Sequence, residues 1–220
     1  MAGEEVVLLD VWSSSYAMRV KVALAEKGVE YVCQPQNLVS KGSSLLEMNP
    51  IHKKIPVLIH NGKPVCESLV ILEYIDEVWP ELSPLLPKDP YQRSQARFWA
   101  DFINKKLYAG AKVLWKAKGE EQEKIIKDYI ENLKILEGVL KNEKFFGGDT
   151  FGYVDVAFSP ITSWFYTLEI FGKFSIEANC PKIVAWAKRC KERHSVSSTL
   201  PDSDKVYNYA LDIKKALGLD

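Results

Sequence analysis

Residues 55–75 read I-P-V-L-I-H-N-G-K-P-V-C-E-S-L-V-I-L-E-Y-I. Asn61-Gly62 stands between two short apolar runs. Asn-Gly in that setting is the strongest short-range signal for a β-hairpin. The first arm, Val57 to His60, reads as a buried strand. Pro64 cannot donate to a ladder, so the second arm is predicted at a sheet edge. Glu67-Ser68 then opens a helix whose Leu69, Leu72 and Ile75 share a face, with Ser68 as its expected cap.

Upstream, strand and helix signals alternate. V-V-L-L-D-V-W (6–12) is a short buried-strand run. Met18 to Lys27 is helical, with Val20, Ala23, Leu24 and Lys27 on one face and Gly28 as the stop. V-E-Y-V-C-Q (29–34) alternates as a strand does. Leu45 and Leu46 lie in a short helix ended by Asn49-Pro50. The order is β-α-β-α-β-β-α over roughly 75 residues. Two parallel-type units followed by an antiparallel hairpin is the order of a thioredoxin-like domain. Element order carries a fold and no function.

Residues 81–90, E-L-S-P-L-L-P-K-D-P, contain three prolines. Proline breaks helices and stiffens linkers. The expected organisation is a thioredoxin-like domain over 1–80, a linker over 81–90, and a helical bundle over 91–220. The fold class is therefore α/β followed by all-α. Helical runs are predicted near 91–117, 120–142, 152–171, 180–193 and 203–217. In the second run Ile125, Tyr129, Leu133, Leu136 and Leu140 form a core-facing stripe. At Phe151-Gly152 a further helix start is legible. Asp155 falls three positions after the glycine, and Phe151 with Val156 can staple the start.

Charge and cysteine content exclude several classes. The chain has 220 residues, of which 47% are apolar and 26% charged, so it reads as an ordinary soluble protein. Lys+Arg and Asp+Glu both number 29, so no overall field draws the chain to nucleic acid or to a membrane. Cys33, Cys66, Cys180 and Cys190 are scattered, as free thiols in a reducing compartment would be. The N-terminus is acidic and no segment approaches membrane-spanning length, so a cytoplasmic location is expected. G-G-D-T-F-G (147–152) lacks both the spacing and the context of a dinucleotide loop. His52, His60 and His194 have no ligand spacing, so no metal is expected. K-R-C-K-E-R-H (188–194) mixes cations with acid and apolar residues and reads as a solvated helix face.

The first strand-to-helix turn, where thioredoxin-like proteins carry redox cysteines, reads W-S-S-S-Y-A-M-R (12–19). Dithiol chemistry is excluded there. The stretch N-P-I-H-K-K-I-P-V-L through E-S resembles the glutathione-binding half of cytosolic glutathione transferases. L-D-V-W-S-S-S-Y-A-M-R-V-K-V-A-L-A-E-K-G, D-P-Y-Q-R-S-Q-A-R-F-W-A-D-F-I-N-K-K and F-F-G-G-D-T-F-G-Y-V-D are similar to the tau class of plants. The resemblance covers nearly the whole chain.

That resemblance implies an enzyme joining glutathione to hydrophobic electrophiles, with possible hydroperoxide reduction. It needs glutathione as co-substrate and no metal, and it works as a homodimer without nucleic acid or membrane. Ser14 matches the catalytic serine, whose hydroxyl donates to the glutathione sulfur and favours the thiolate. Ser68, at a helix start, matches the site for the γ-glutamyl carboxylate. Glu67 would take the ammonium. Ile55 before Pro56, in a cis peptide, would pair with the cysteinyl backbone. Lys54 and Lys41 would meet the glycyl carboxylate. Val11, Tyr16, Leu38, Tyr108, Lys112, Trp115, Trp164 and Tyr209 would line the second-substrate pocket. The chain departs from the family in Ser13 and Ser15, where proline is usual, and in Ala17, where glycine is common. Ser13 or Ser15 could thus be the donor, with Ser14 a cap. Two other readings use the same cleft. One is a non-catalytic carrier of apolar molecules, and the other a thiol transferase or dehydroascorbate reductase.

Overall fold

The computed structural model describes residues 5–37, 40 and 42–219. These fall into two compact units, which divide between Pro87 and Lys88.

The first unit follows the predicted order. It runs β1 (Val6–Asp10), α1 (Ser15–Glu26), β2 (Val32–Pro35), α2 (Ser43–Met48), β3 (Val57–His60), β4 (Lys63–Cys66) and α3 (Ser68–Val78). The sheet order is β2-β1-β3-β4. β1 and β2 pair in parallel. β3 instead runs antiparallel to β1, so the second crossover is not the parallel unit that the element order suggested. The hairpin is as read. Asn61 and Gly62 both hold positive φ, 49° and 75°, as a two-residue hairpin turn needs. Pro64 lies on the edge strand β4, opposite Ile59. Leu8, Leu9, Val57 and Leu58 have no exposed surface and form the sheet's contribution to the core.

Two buried cations tie α1 to α3. The Arg19 guanidinium donates to Ser68 Oγ at 3.0 Å. The Lys27 ammonium, fully buried, donates to Asp76 Oδ1 at 2.7 Å. Each pair of anchors is two helical turns apart, so the two helices run side by side in the same direction. Asp76 also accepts the backbone N–H groups of Leu85 and Leu86. Those two leucines are themselves buried. Residues 81–87, read as linker from their prolines, therefore pack with the first unit.

The second unit is helical. It comprises α4 (Pro90–Phe102), a π-helical turn (Ile103–Tyr108), α5 (Ala109–Leu114), α6 (Gly119–Leu140), α7 (Tyr153–Phe158), a 3-10 turn (Ser159–Trp164), α8 (Phe165–Gly172), α9 (Ile176–Asn179), α10 (Pro181–Lys191), α11 (His194–Ser197) and α12 (Ser203–Ala216). The predicted run 152–171 is thus three segments, and Pro160, which has no N–H to donate, sits where the α-helical ladder is interrupted. On α6, Tyr129, Leu133, Leu136 and Leu140 are buried as their spacing requires, and Ile125 is half-buried. Phe158 stacks on the buried Trp186 at 4.6 Å, and Phe146 meets both rings edge-on.

Candidate active site

The sheet register brings three connections to one end of the first unit. Leu9 of β1 sits opposite Val57 of β3, so the chain leaving β1 toward Ser14 starts beside Pro56. Val57 in turn sits opposite Cys66 of β4, so Glu67-Ser68 emerges beside Pro56 on its other side. The Ile55-Pro56 peptide is cis, as the resemblance implied.

Ser14 is the N-cap of α1. Its Oγ accepts from Ala17 N–H at 3.3 Å, and its carbonyl accepts from Met18 N–H at 3.0 Å. Ser14 is half-exposed, whereas Ser13 and Ser15 are each only 6% exposed. The cap role thus falls to Ser14 rather than to its neighbours. A hydroxyl that accepts from the backbone still has its own proton to donate. Cap and donor can be the same group.

Glu67 is the N-cap residue of α3, one position earlier than the cap that the sequence reading put at Ser68, and Ser68 is the first residue inside the helix. Glu67 holds φ 69° and ψ 115°, which is strained for a non-glycine residue. Such a conformation costs on the order of 1–3 kcal/mol and persists only where surroundings enforce it. Its carbonyl accepts from Ile71 N–H at 2.8 Å, while its exposed carboxylate lies 3.9 Å from the His52 ring. Ser68 is buried, and Arg19 holds its hydroxyl. The same guanidinium lies 5.3 Å from the Tyr16 ring centroid. Burial raises the Tyr16 phenol above its usual range, against the opposing pull of Arg19, so it stays neutral.

The loop before the cis peptide is organised by Asn49, which is 3% exposed. Its side-chain amide donates to the Lys54 carbonyl at 2.9 Å and its Oδ1 accepts from His52 N–H at 3.1 Å. The Lys54 side chain is exposed, Ile55 half-buried and Pro56 buried. Val11 is half-buried. Leu38 and Lys41 lie outside the described residues.

In the second unit, Tyr108 is buried and its hydroxyl donates to the Ala157 carbonyl at 3.0 Å. Trp115 is 7% exposed, under the Lys116 ammonium. Both are packed more as core aromatics than as open lining. Trp164 and Tyr209 are half-buried, and Lys112 is exposed. Among the described residues no group of three His, Cys, Asp or Glu side chains is placed to hold a metal ion. No helix among them is long and apolar enough to cross a membrane.

Sequence reading missed Arg19 and Asn49 as parts of this end of the sheet. A signal for Arg19 was available. Arg19, Ala23 and Lys27 recur every four residues, which puts two cations on the apolar face of α1. A charge on a core-facing stripe asks for a buried partner.

The family profile "Glutathione S-transferase, N-terminal domain" matches residues 4–77, and "Glutathione S-transferase, C-terminal domain" matches 95–194. The chain belongs to the glutathione S-transferase family. Glutathione S-transferase U25 of Arabidopsis thaliana is 58% identical over 217 residues, spanning 99% of this chain and 98% of that protein. Probable glutathione S-transferase parA of Nicotiana tabacum is 58% identical over 219 residues and spans all of both. Rice GST1 (OsGSTU1), solved in complex with glutathione, superposes with a TM-score of 0.94 at 44% identity, covering 98% of this chain and 99% of that one. The tau-class glutathione S-transferase of mango superposes at 0.88 with 40% identity, over 94% and 97% of the two chains. These relatives identify this glutathione S-transferase as one of the plant tau class, with glutathione as co-substrate and the two-unit fold of that family.

Proposed function

We propose that Ser14 activates the glutathione thiol for attack on hydrophobic electrophiles, and that Ser68, Glu67, Ile55-Pro56 and Lys54 hold the peptide. The observation that carries this reading is the meeting of three connections at one end of the sheet. One connection offers a half-exposed hydroxyl, one a cis-proline loop and one a helix N-terminus. Glutathione has two carboxylates, an ammonium and a thiol, and these groups can be shared among those connections. The γ-glutamyl carboxylate fits the first turn of α3, where unsatisfied N–H groups and the Ser68 hydroxyl face an anion. The Glu67 carboxylate fits the ammonium. The backbone of Ile55 fits the cysteinyl unit, which places the thiol toward Ser14. Lys54, with Lys41, fits the glycyl carboxylate.

The Ser14 hydroxyl donates to sulfur and does not attack. A hydrogen bond to a charged acceptor is worth roughly 1.5–3 kcal/mol. The N-terminus of α1 adds roughly 0.3–1 kcal/mol. At about 1.4 kcal/mol per pKa unit, together they lower the thiol pKa by about one to three units. A large fraction of bound glutathione is then thiolate near neutral pH, without a general base. The electrophile side of this reading keeps the residues that the resemblance implies, Val11, Tyr16, Leu38, Tyr108, Lys112, Trp115, Trp164 and Tyr209; within the second unit Trp164 and Tyr209 are half-buried, whereas Tyr108 and Trp115 are buried. Homodimer assembly and a cytoplasmic location belong to the same reading. Ile51 and Val70, which are 82% and 55% exposed, are apolar surface that a second copy would cover.

Steady formation of the thioether from glutathione and 1-chloro-2,4-dinitrobenzene, by a species that sediments as a dimer, is the expected result. Tight dye binding without turnover would replace the enzyme reading by the carrier reading. The thiol-transferase alternative finds little support. Cys66, the cysteine nearest Glu67, points its Sγ at the Met48 carbonyl. Burial, then the Glu67 charge, raises its thiol above the ordinary range, so its thiolate is disfavoured.

Arg19 acts through Ser68. Arg19→Met keeps the bulk of the buried side chain and removes the donor. The KM for glutathione should rise about fivefold to tenfold, the worth of one buried hydrogen bond, with a smaller change in kcat. An unchanged KM would leave Arg19 with a packing role alone.

A further inference from the structure

The second unit carries a cleft with no part in the chemistry above. It lies between the C-terminal end of α6 with its following loop and the outer face of α10, and encloses about 470 Å³. Lys141, Lys144, Lys182 and Arg189 line it, against Glu143 and Asp149, so cations outnumber acids by four to two.

The walls are fixed to one another. Lys182 N–H donates to Glu137 Oε1 at 2.7 Å, and its ammonium donates to Asn142 Oδ1 at 2.9 Å. Arg189 Nε donates to the Lys144 carbonyl at 3.1 Å, which ties α10 to the loop. The loop is closed on itself by paired bonds between Phe145 and Gly148. Lys141 holds a positive φ of 55°, which turns the chain sharply off the end of α6. The terminal carbonyls of α6 are partly satisfied, since Lys141 N–H donates to Glu137 O and Glu143 N–H to Leu140 O. The backbone that carries the four cations is thus fixed around a concavity, with Lys182 and Arg189 also tied through their side chains.

We propose that this cleft is an anion site for a small, multiply charged phosphate compound, such as a polyphosphate or a sugar phosphate. An exposed ion pair is worth only about 0–1 kcal/mol, so a monovalent anion gains little here. A ligand that meets three or four cations at once sums several such terms. Arg189 engages the loop through Nε, which leaves the two terminal nitrogens of its fork to grip a phosphate in bidentate fashion. The lining contains no aromatic ring, so no stacking platform for a nucleobase is offered. The run 188–194, read from sequence as a solvated helix face, contributes Arg189 to this site. The proposal is independent of how glutathione is held.

The test is calorimetric titration of the full chain with sodium tripolyphosphate at low ionic strength, with glutathione at saturation so that its own site is filled. One saturable site is expected. Lys141→Glu/Lys144→Glu should weaken it at least tenfold, as should 0.3 M salt, with the conjugation rate unchanged. Both side chains are exposed, and Arg189→Gln is the second variant should the first fail to fold. Absence of saturable heat with the wild-type chain would overturn the proposal, and so would equal heats in wild type and in a folded variant.

Discussion

Replacing Ser14 with alanine should lower kcat/KM for glutathione conjugation by about tenfold to a hundredfold near pH 6.5, and should move the pH at which the rate is half-maximal up by about one to two units. The magnitude follows from the hydrogen bond to the thiolate, about 1.5–3 kcal/mol, which is the part that the hydroxyl alone supplies. The sign follows from the charge. The hydroxyl favours the deprotonated thiol, so its loss raises the thiol pKa and the deficit shrinks at high pH, where the thiol ionises unaided. Ser14 also caps α1. Alanine therefore costs stability as well, about 0.5–2 kcal/mol, whereas glycine at an N-cap costs only a few tenths. Ser14→Gly separates the two roles. It should match alanine in rate and pH profile while leaving the melting temperature nearly unchanged. Ser14→Thr, which keeps a hydroxyl, should recover part of the rate. Full conjugation rate in both Ser14→Ala and Ser14→Gly would assign the donor elsewhere.

Much of the first unit was legible because its signals are local. Asn61-Gly62, Pro64 and the run into α3 each constrain the backbone within a few residues. The direction of β3 was not legible, because it depends on which strand β3 pairs with, and its partners, such as Leu8 for Leu58, lie far away in sequence. The division between the two units lies at 87/88, inside the proline-bearing stretch 81–90, and the prolines did not reveal that Asp76 draws 85–86 back onto the first unit. The π-helical turn at 103–108 has no proline or glycine to announce it. At the candidate site, Glu67, Ser68 and Ser14 came from family resemblance joined to the chemistry of helix ends. Arg19 was passed over although its spacing with Lys27 was in view, because the partner that makes a buried cation tolerable belongs to another helix. The same limit applies at Asp155. Its place after Gly152 was readable. Its other two donors were not.

Asp155 closes the second unit, and Asp155→Ala should destabilise the folded chain by about 3–5 kcal/mol in urea unfolding. The carboxylate is fully buried. Oδ1 accepts from Phe146 N–H at 3.0 Å and from the Trp186 indole at 2.7 Å, and Oδ2 accepts from Gly152 N–H at 3.0 Å. Gly152 has no side chain to return the cap, so the whole capping interaction rests on the aspartate. Alanine leaves the buried Trp186 indole and two part-buried N–H donors unpaired, and an unsatisfied buried donor costs about 1–3 kcal/mol. That is a large part of the stability of about 5–15 kcal/mol typical of a folded domain. Asparagine distinguishes the contacts from the charge. Its carbonyl can still accept from Phe146 and Trp186, while its amide would face the Gly152 N–H, so a loss of about 1–2 kcal/mol is expected. The pH dependence follows from burial. Desolvation pushes the Asp155 carboxyl up to about 6, against the three N–H donors that favour its charged form. The usual carboxylate value lies near 4. Between those two values the folded chain binds the proton and the unfolded chain has released it. Stability from this group is therefore greatest below about pH 4, falls as pH rises to about 6, and is flat above. Asp155→Asn should lose that slope. An identical slope in wild type and Asp155→Asn over pH 4–6 would mean that another group titrates, and that the buried carboxylate stays charged throughout.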